Sequence, residues 1–368
     1  MKTKKILTYL LALIALASCG SFEDDKKSLM SVTEEKKDLV DAFDVSKDQA
    51  EKYTPVESAV ETKPATKPVV ETKKTKTKGK KGSKAEEKKA EKAAAKAEKE
   101  VKAVTAKGDD YPADYPQMFK DYDAVSRPVW EKFKPVFYKG EQSIIAISYL
   151  GVTAGYITMT SKDIVKMGDK QAYHYFARFK SRDAYRYFYW LDDTIETFIE
   201  QNTFLPIKYS LIQREKKQNV DDLQLFDFKK HKVMTWYKRV KQGANKEEHL
   251  EKNIPSYVQD SFAALQFVRG LPLHKGDKYD FPVSTRGDTW LLKIEVVGEE
   301  TVSVNGNDIR AYRLKAETHF PGVLQKSGDI NFWYAMDEGK RLVKFQAKVK
   351  LGSIYGELVE YKPGVLIK

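Results

Sequence analysis

Hydrophobic positions divide the chain into three stretches. An unbroken, mostly apolar run extends from Ile6 to Ala17. From Gly20 to about Gly108 large apolar residues are sparse and show no period. From about Tyr111 onward Tyr, Phe, Trp, Val and Ile become frequent and alternate with polar residues. A period of two puts every second side chain on one face of a strand. By that pattern, and by the turn residues between runs, strands are predicted at Gln142–Tyr149, Tyr156–Thr160, Ala172–Lys180, Ala184–Leu191, Thr194–Ile199, Pro206–Glu215, Leu223–Phe228 and Lys232–Val240. Further strands follow at Lys278–Val283, Trp290–Val297, Thr301–Val304, Ile309–Glu317, Ile330–Met336, Leu342–Lys350 and Ile354–Tyr361. Asn305-Gly306 suits a tight hairpin turn, and Gly151 and Gly155 suggest a bulge or bend.

Two short helices interrupt this pattern. Tyr115–Asp123 is predicted helical and closed by Arg127-Pro128. Ser256 and Gln259 fit a capping box, with Phe262, Leu265 and Val268 following at helical spacing and Gly270 and Pro272 ending the run. Many antiparallel strands with one buried helix predict a mainly β fold. The expected form is a single large antiparallel rolled sheet or barrel-like domain, covering residues 109–368. A transmembrane barrel is set aside because Lys and Arg occur on both alternations of the strands.

Charge separates the middle stretch from the rest. Gly20 to Glu71 carries 13 acids against 8 lysines, and Thr72 to Gly108 carries 14 lysines against 5 acids. A chain this polar cannot offset the entropy of ordering, so residues 19–108 are predicted to be a disordered tether. Residues 85–104 are rich in Ala, Lys and Glu and form a candidate solvated helix. The basic block Lys73, Lys74, Lys76, Lys78, Lys80, Lys81 and Lys84 reads as linker kept open by self-repulsion. Its functional alternative is contact with anionic lipid or cell-wall polymer. The β-rich part has only a modest positive excess, which excludes a nucleic-acid footprint.

The first stretch carries the sharpest motif. Lys2, Lys4 and Lys5 precede the apolar run, which is shorter than the roughly 20 residues that span a bilayer. It ends Leu16-Ala17-Ser18-Cys19-Gly20, and Cys19 is the chain's single cysteine. This sequence resembles the lipobox of bacterial lipoproteins. The resemblance implies a signal peptide over residues 1–18 and lipidation of Cys19. Gly20 in place of Asp then favours the outer membrane. One cysteine allows no internal disulfide and no cysteine-built zinc site.

Three stretches of the β-rich part are similar to the domain-of-unknown-function 3108 family of exported bacterial proteins. These are Tyr149-x-Gly151-Val-x-Ala154-Gly155, Asp260-Ser261-Phe262 through Phe267-Val268-Arg269, and Phe332-Trp333-x-x-x-Asp337 followed by Arg341. Leu271-Pro272-Leu273 and Gly276 extend the second. Val343 stands where the family usually has proline. The resemblance covers Glu141 to Lys362 and implies an exported, mostly β protein without an assigned activity.

Catalytic motifs are missing from the sequence. His174, His231, His249, His274 and His319 show no metal-ligand spacing, and there is no H-E-x-x-H, G-x-S-x-G or G-x-G-x-x-G. Arg286-Gly287-Asp288 reads as a hairpin turn. Neither catalytic nor metal-binding residues nor a cofactor are assigned. The aromatic and basic stretch 173–190 supplies the candidate ligand surface: Arg178, Arg182, Arg186, Tyr187 and Tyr189. Its bland reading is cross-strand aromatic packing with arginines at the rim. The sequence thus points to a monomeric, lipid-anchored envelope lipoprotein whose β domain binds a lipid, glycan or peptide in the periplasm. The alternative is an envelope enzyme acting on cell-wall or lipid material.

Overall fold

The computed structural model describes residues 111–185, 189–241, 244–318, 330–349 and 352–367. The lipobox, the tether, the candidate helix at 85–104 and the basic block lie outside these residues. So do Arg186 and Tyr187 of the candidate surface.

The first half contains α1 (Gln117–Lys132), β1 (Tyr138–Lys139), β2 (Gln142–Tyr149), β3 (Val152–Met167), β4 (Lys170–Ser181), β5 (Asp192–Glu200), β6 (Pro206–Glu215), β7 (Gln218–Asp227), β8 (Lys232–Lys241) and β9 (Ala244–Asn253). The second half contains β10 (Gln259–Asp260), α2 (Ala263–Arg269), β11 (Lys278–Thr285), β12 (Asp288–Val304), β13 (Asn307–Thr318), β14 (Ile330–Ala335), β15 (Leu342–Lys348), β16 (Ser353–Lys362) and β17 (Val365–Leu366). Fifteen strands make one sheet, in the order β10 to β16, then β2 to β9, with β1 and β17 pairing separately. Pairing within the sheet is antiparallel except between β10 and β11.

The sheet is rolled, but its backbone ladder does not close: β9 and β10 remain as edges. Side chains join strands from the two ends of the order instead. Thr197 on β5 donates its hydroxyl to Asp260 on β10. The Arg286 amide in the β11–β12 turn donates to Gln224 on β7 at 3.1 Å. Lys252 on β9 pairs with Asp288 on β12 at 2.6 Å. Such bonds between distant members of one sheet require it to curl back on itself. The edge strand β9 is exposed and carries Lys246, Glu247, Glu248, Glu251 and Lys252, and this charge opposes edge-to-edge pairing with another chain. The sequence reading passed over β9 because a charged strand exposed on both faces has no hydrophobic alternation.

Three further local expectations are corrected. The helix α1 runs through Pro128 to Lys132, because Val129 and Trp130 are buried beyond it. Trp130 lies 4.3 Å from the Phe267 ring and donates its indole N–H to the Thr203 carbonyl at 3.2 Å. Burial of an aromatic of this size outweighs one lost helix bond. Ser256 and Gln259 do not cap α2: the Ser256 hydroxyl bonds to Asp123 at 3.0 Å and the Gln259 amide to the Phe204 carbonyl at 2.8 Å. The predicted strand Ala184–Leu191 is absent from its described residues. Asp183–Tyr185 forms a single 3-10 turn, and Tyr189 and Trp190 lie in no strand.

Candidate functional site

The interior of the roll is built around α2. Asp260 accepts the Phe262 and Ala263 amides at 2.8 and 2.7 Å, satisfying two donors at the start of the helix. Burial raises the Asp260 carboxyl to about 6 against these bonds, which lower it. At the other end Arg269 forms a bidentate pair with Glu141, at 2.7 and 2.9 Å. It also donates to the Gly339 carbonyl at 2.8 Å, and Tyr361 donates to Glu141 at 3.0 Å. Both ends of this short helix are therefore held by buried carboxylates. The helix presents Phe262 and Leu265 to the inner face of the sheet.

Between that face and α2 lies a cavity of about 110 Å³. Ile145, Ile147, Ile157, Met159 and Phe179 from β2 to β4 form one wall. Ile330, Phe332, Leu342, Phe345 and Ala347 from β14 and β15 form another, and Phe262, Leu265, Tyr189 and Leu191 complete it. Phe345 faces Gly356 in the β15–β16 register, and a Cβ there would sit 2.1 Å from its ring. The missing side chain is what lets the Phe345 ring lie flat in the wall. A concave apolar lining of this kind accepts apolar ligands.

At its inner end the cavity meets a polar recess. Met159, Phe262, Leu265 and Leu342 line both, and Glu141, Ser143, Ser161, Tyr175, Arg269, Tyr334 and Arg341 line the recess. Burial pushes the Tyr175 and Tyr334 hydroxyls well above the ordinary phenol range, so both stay neutral and donate to the Val136 and Leu265 carbonyls, at 3.4 and 3.2 Å.

A second polar surface flanks the apolar wall. Asp193 stands opposite Phe179 in the β4–β5 register, and Leu191 bridges to Glu215. Gln213 donates to both carboxylates, at 3.5 and 3.4 Å, and the Arg214 amide donates to Asp193 at 2.8 Å. Burial, then mutual repulsion with Glu215, raises Asp193 to about 8; burial raises Glu215 to about 7. Burial also raises Asp222 to about 7, with Arg286 nearby lowering it. Among the described residues no three His, Cys, Asp or Glu side chains are grouped to hold a metal ion. No helix among them is long and apolar enough to cross a membrane.

Of the residues expected to form the ligand surface, Arg178, Arg182 and Tyr189 are described, and each has a different setting. Tyr189 lines the cavity. Arg178 faces outward and forms a bidentate pair with Asp192 at 2.7 and 2.6 Å. Arg182 is exposed, and its amide donates to the Ala154 carbonyl at 3.0 Å. Apart from Tyr189, the cavity residues named above escaped the sequence reading because each is an ordinary inward-facing apolar residue. Nothing local distinguishes a filled interior from a hollow one.

With this geometry in view, the family is established. The model of the family described as Protein of unknown function (DUF3108) matches residues 145–359, and the chain belongs to that family. Its motif residues have structural roles here: Asp260 and Arg269 fix the ends of α2, and Gly155 allows β3 and β4 to approach. No curated protein matches the chain. Solved structures with related outlines include a β-barrel-like protein of the domain of unknown function DUF1849 from Brucella abortus. It is 13% identical, covers 62% of this chain and 99% of its own, and has a TM-score of 0.41. A protein assigned to export with a YmcC-like fold from Bacteroides fragilis is 13% identical, covering 62% of this chain and 98% of its own, with a TM-score of 0.27. One assigned as a lipoprotein from Parabacteroides distasonis is 10% identical, covering 63% and 99%, with a TM-score of 0.27.

Proposed function

We propose that the protein is a lipid-anchored lipoprotein of the bacterial envelope whose rolled sheet binds the acyl chain of a lipid. The observation that carries this reading is the cavity between α2 and the inner face of β2 to β4 and β14 to β15. It is apolar along its walls and polar at its inner end. An amphipathic molecule matches that division: an apolar chain loses water along the walls, and a polar group meets Ser143, Ser161 and Arg341 at the recess. The lipobox around Cys19 supports placement at a membrane, the outer membrane by the Gly20 rule, on its periplasmic side.

The test is binding of a dansyl-labelled fatty acid to the mature chain carrying Cys19→Ser. Saturable binding with a blue-shifted emission is expected, and Ala347→Trp, which places an indole in the cavity, should abolish it. Equal binding by the two proteins, with both folded by circular dichroism, would overturn the reading. Lipid extraction and mass spectrometry of the purified protein would then identify the natural occupant.

Asp193 and Glu215 are the observation favouring the enzyme alternative, since both titrate near neutral pH. Their partners Gln213, Gln218 and the Arg214 amide instead make them part of the polar wall. Asp193→Asn is accordingly expected to leave fatty-acid binding intact.

A further inference from the structure

We infer that the end of the roll formed by the β2–β3 hairpin docks on an anionic lipid bilayer, with Leu150 and Val152 inserted among the acyl chains. Only the last step, filling the cavity from that bilayer, rests on the acyl-binding reading above.

The surface itself is the first argument. Nine large apolar side chains are exposed among the described residues, and four of them cluster here: Leu150, Val152, Tyr156 and Tyr355. Leu150 is 72% exposed and Val152 49%. The register explains the grouping. Tyr149 pairs with Val152 across the turn, and Ser148, one residue earlier, pairs with Tyr355 on β16. Clustered apolar exposure marks an interaction surface, whereas scattered apolar residues need no explanation.

The turn is the second. Leu150 and Gly151 have φ of +51° and +77°. Asn305 and Gly306 make the same kind of turn between β12 and β13, at +49° and +76°. Asn tolerates this conformation because its short polar side chain suits it, and a leucine does not. The chain therefore holds a leucine in strained backbone and in water, where the corresponding turns carry the polar Asn305 and Arg286. Folding gains nothing from that choice, whereas insertion into an apolar phase removes the solvation cost.

Charge is the third. Lys180, which pairs with Tyr156, is exposed, as are Arg182 and Lys348. The nearby acids Asp192 and Glu357 are held by Arg178 and Lys344. Asp183 is the remaining acid of the adjoining turn, against Lys180 and Arg182, so among the described residues there cations are in excess. An aliphatic tip flanked by tyrosines and basic residues is the composition that partitions into an anionic interface. The same hairpin contributes Ile147, Ala154 and Gly155 to the cavity wall, which puts the docked tip beside the way in.

The single cysteine makes the test clean. In the mature chain, Cys19→Ser removes both the lipid and the only thiol, so Leu150→Cys can carry one environment-sensitive fluorophore. Asn305→Cys carries the same label at another such turn, beside Val359. Phosphatidylglycerol-containing vesicles should shift the emission of the label at position 150 to the blue and leave that at 305 unchanged. Adding Val152→Asp to the Leu150→Cys protein should reduce the shift. No shift at 150, or equal shifts at both positions, would overturn the inference; the latter would mean attachment through the basic tether or a protein-like surface elsewhere. The cavity reading is read separately. Ala347→Trp should leave the vesicle shift in place while removing binding of the soluble fatty-acid probe.

Discussion

Arg269 and Glu141 meet as a bidentate ion pair with about 5–6% of either side chain exposed, across 128 residues of sequence. The pair ties the end of α2 to the segment that enters β2. Removing one partner leaves the other charged and buried, so Glu141→Gln or Arg269→Met alone should each destabilise the protein by roughly 3–5 kcal/mol. The double variant Glu141→Leu/Arg269→Met should recover most of that. Urea unfolding of the three proteins measures the difference.

Stability should fall as pH rises through neutrality. Asp193, Glu215 and Asp222 are raised in the folded protein to about 8, 7 and 7 by burial. A raised carboxyl binds its proton more tightly when folded than when unfolded. Its contribution is complete below the ordinary carboxylate range and is lost as pH climbs through the folded value. The thermal midpoint should therefore decline between about pH 4 and about pH 8. Asp193→Asn should flatten the upper part of that decline.

Gly155 and Gly151 lie in one motif and should respond unequally. A Cβ at Gly155 would stand 2.5 Å from the Lys180 carbonyl oxygen, in the β3–β4 ladder. Gly155→Ala should cost about 1–3 kcal/mol, as overpacking does. Gly151 has open space around its Cβ and a φ of +77°. Gly151→Asn, whose residue type tolerates that conformation, should cost less than about 1 kcal/mol. Thermal midpoints of the two variants decide this.

The anchor has a test in cells. Cys19→Ser should abolish acylation and move the protein from the membrane to the soluble fraction. If the variant still sediments with membranes, the β2–β3 tip or the lysine block is holding it, and salt extraction separates the two, because only the lysine block acts through charge alone.

Much of the architecture follows from sequence because it depends on near neighbours. Alternation gave β2 and β6 at their observed ends, and Asn305-Gly306 and Arg286-Gly287 gave two turns whose positive φ values the structure bears out. The family was legible in the spacing around Gly155, Asp260 and Arg269. Sequence also determines the lipobox reading, since lipidation depends on a short linear motif.

Tertiary structure decided the remainder. Whether α1 stops at Pro128 depends on what Trp130 gains by packing on Phe267. Whether Ser256 caps a helix depends on Asp123, which lies 133 residues away. The cavity depends on the curl of the whole sheet, because the same isoleucines and phenylalanines would fill the interior had Gly356 or the path of α2 been different. Cys19, the proposed lipidation site, is read from the sequence alone. The space beside Phe345 appears only when the strands are rolled around it, since a void belongs to no single residue.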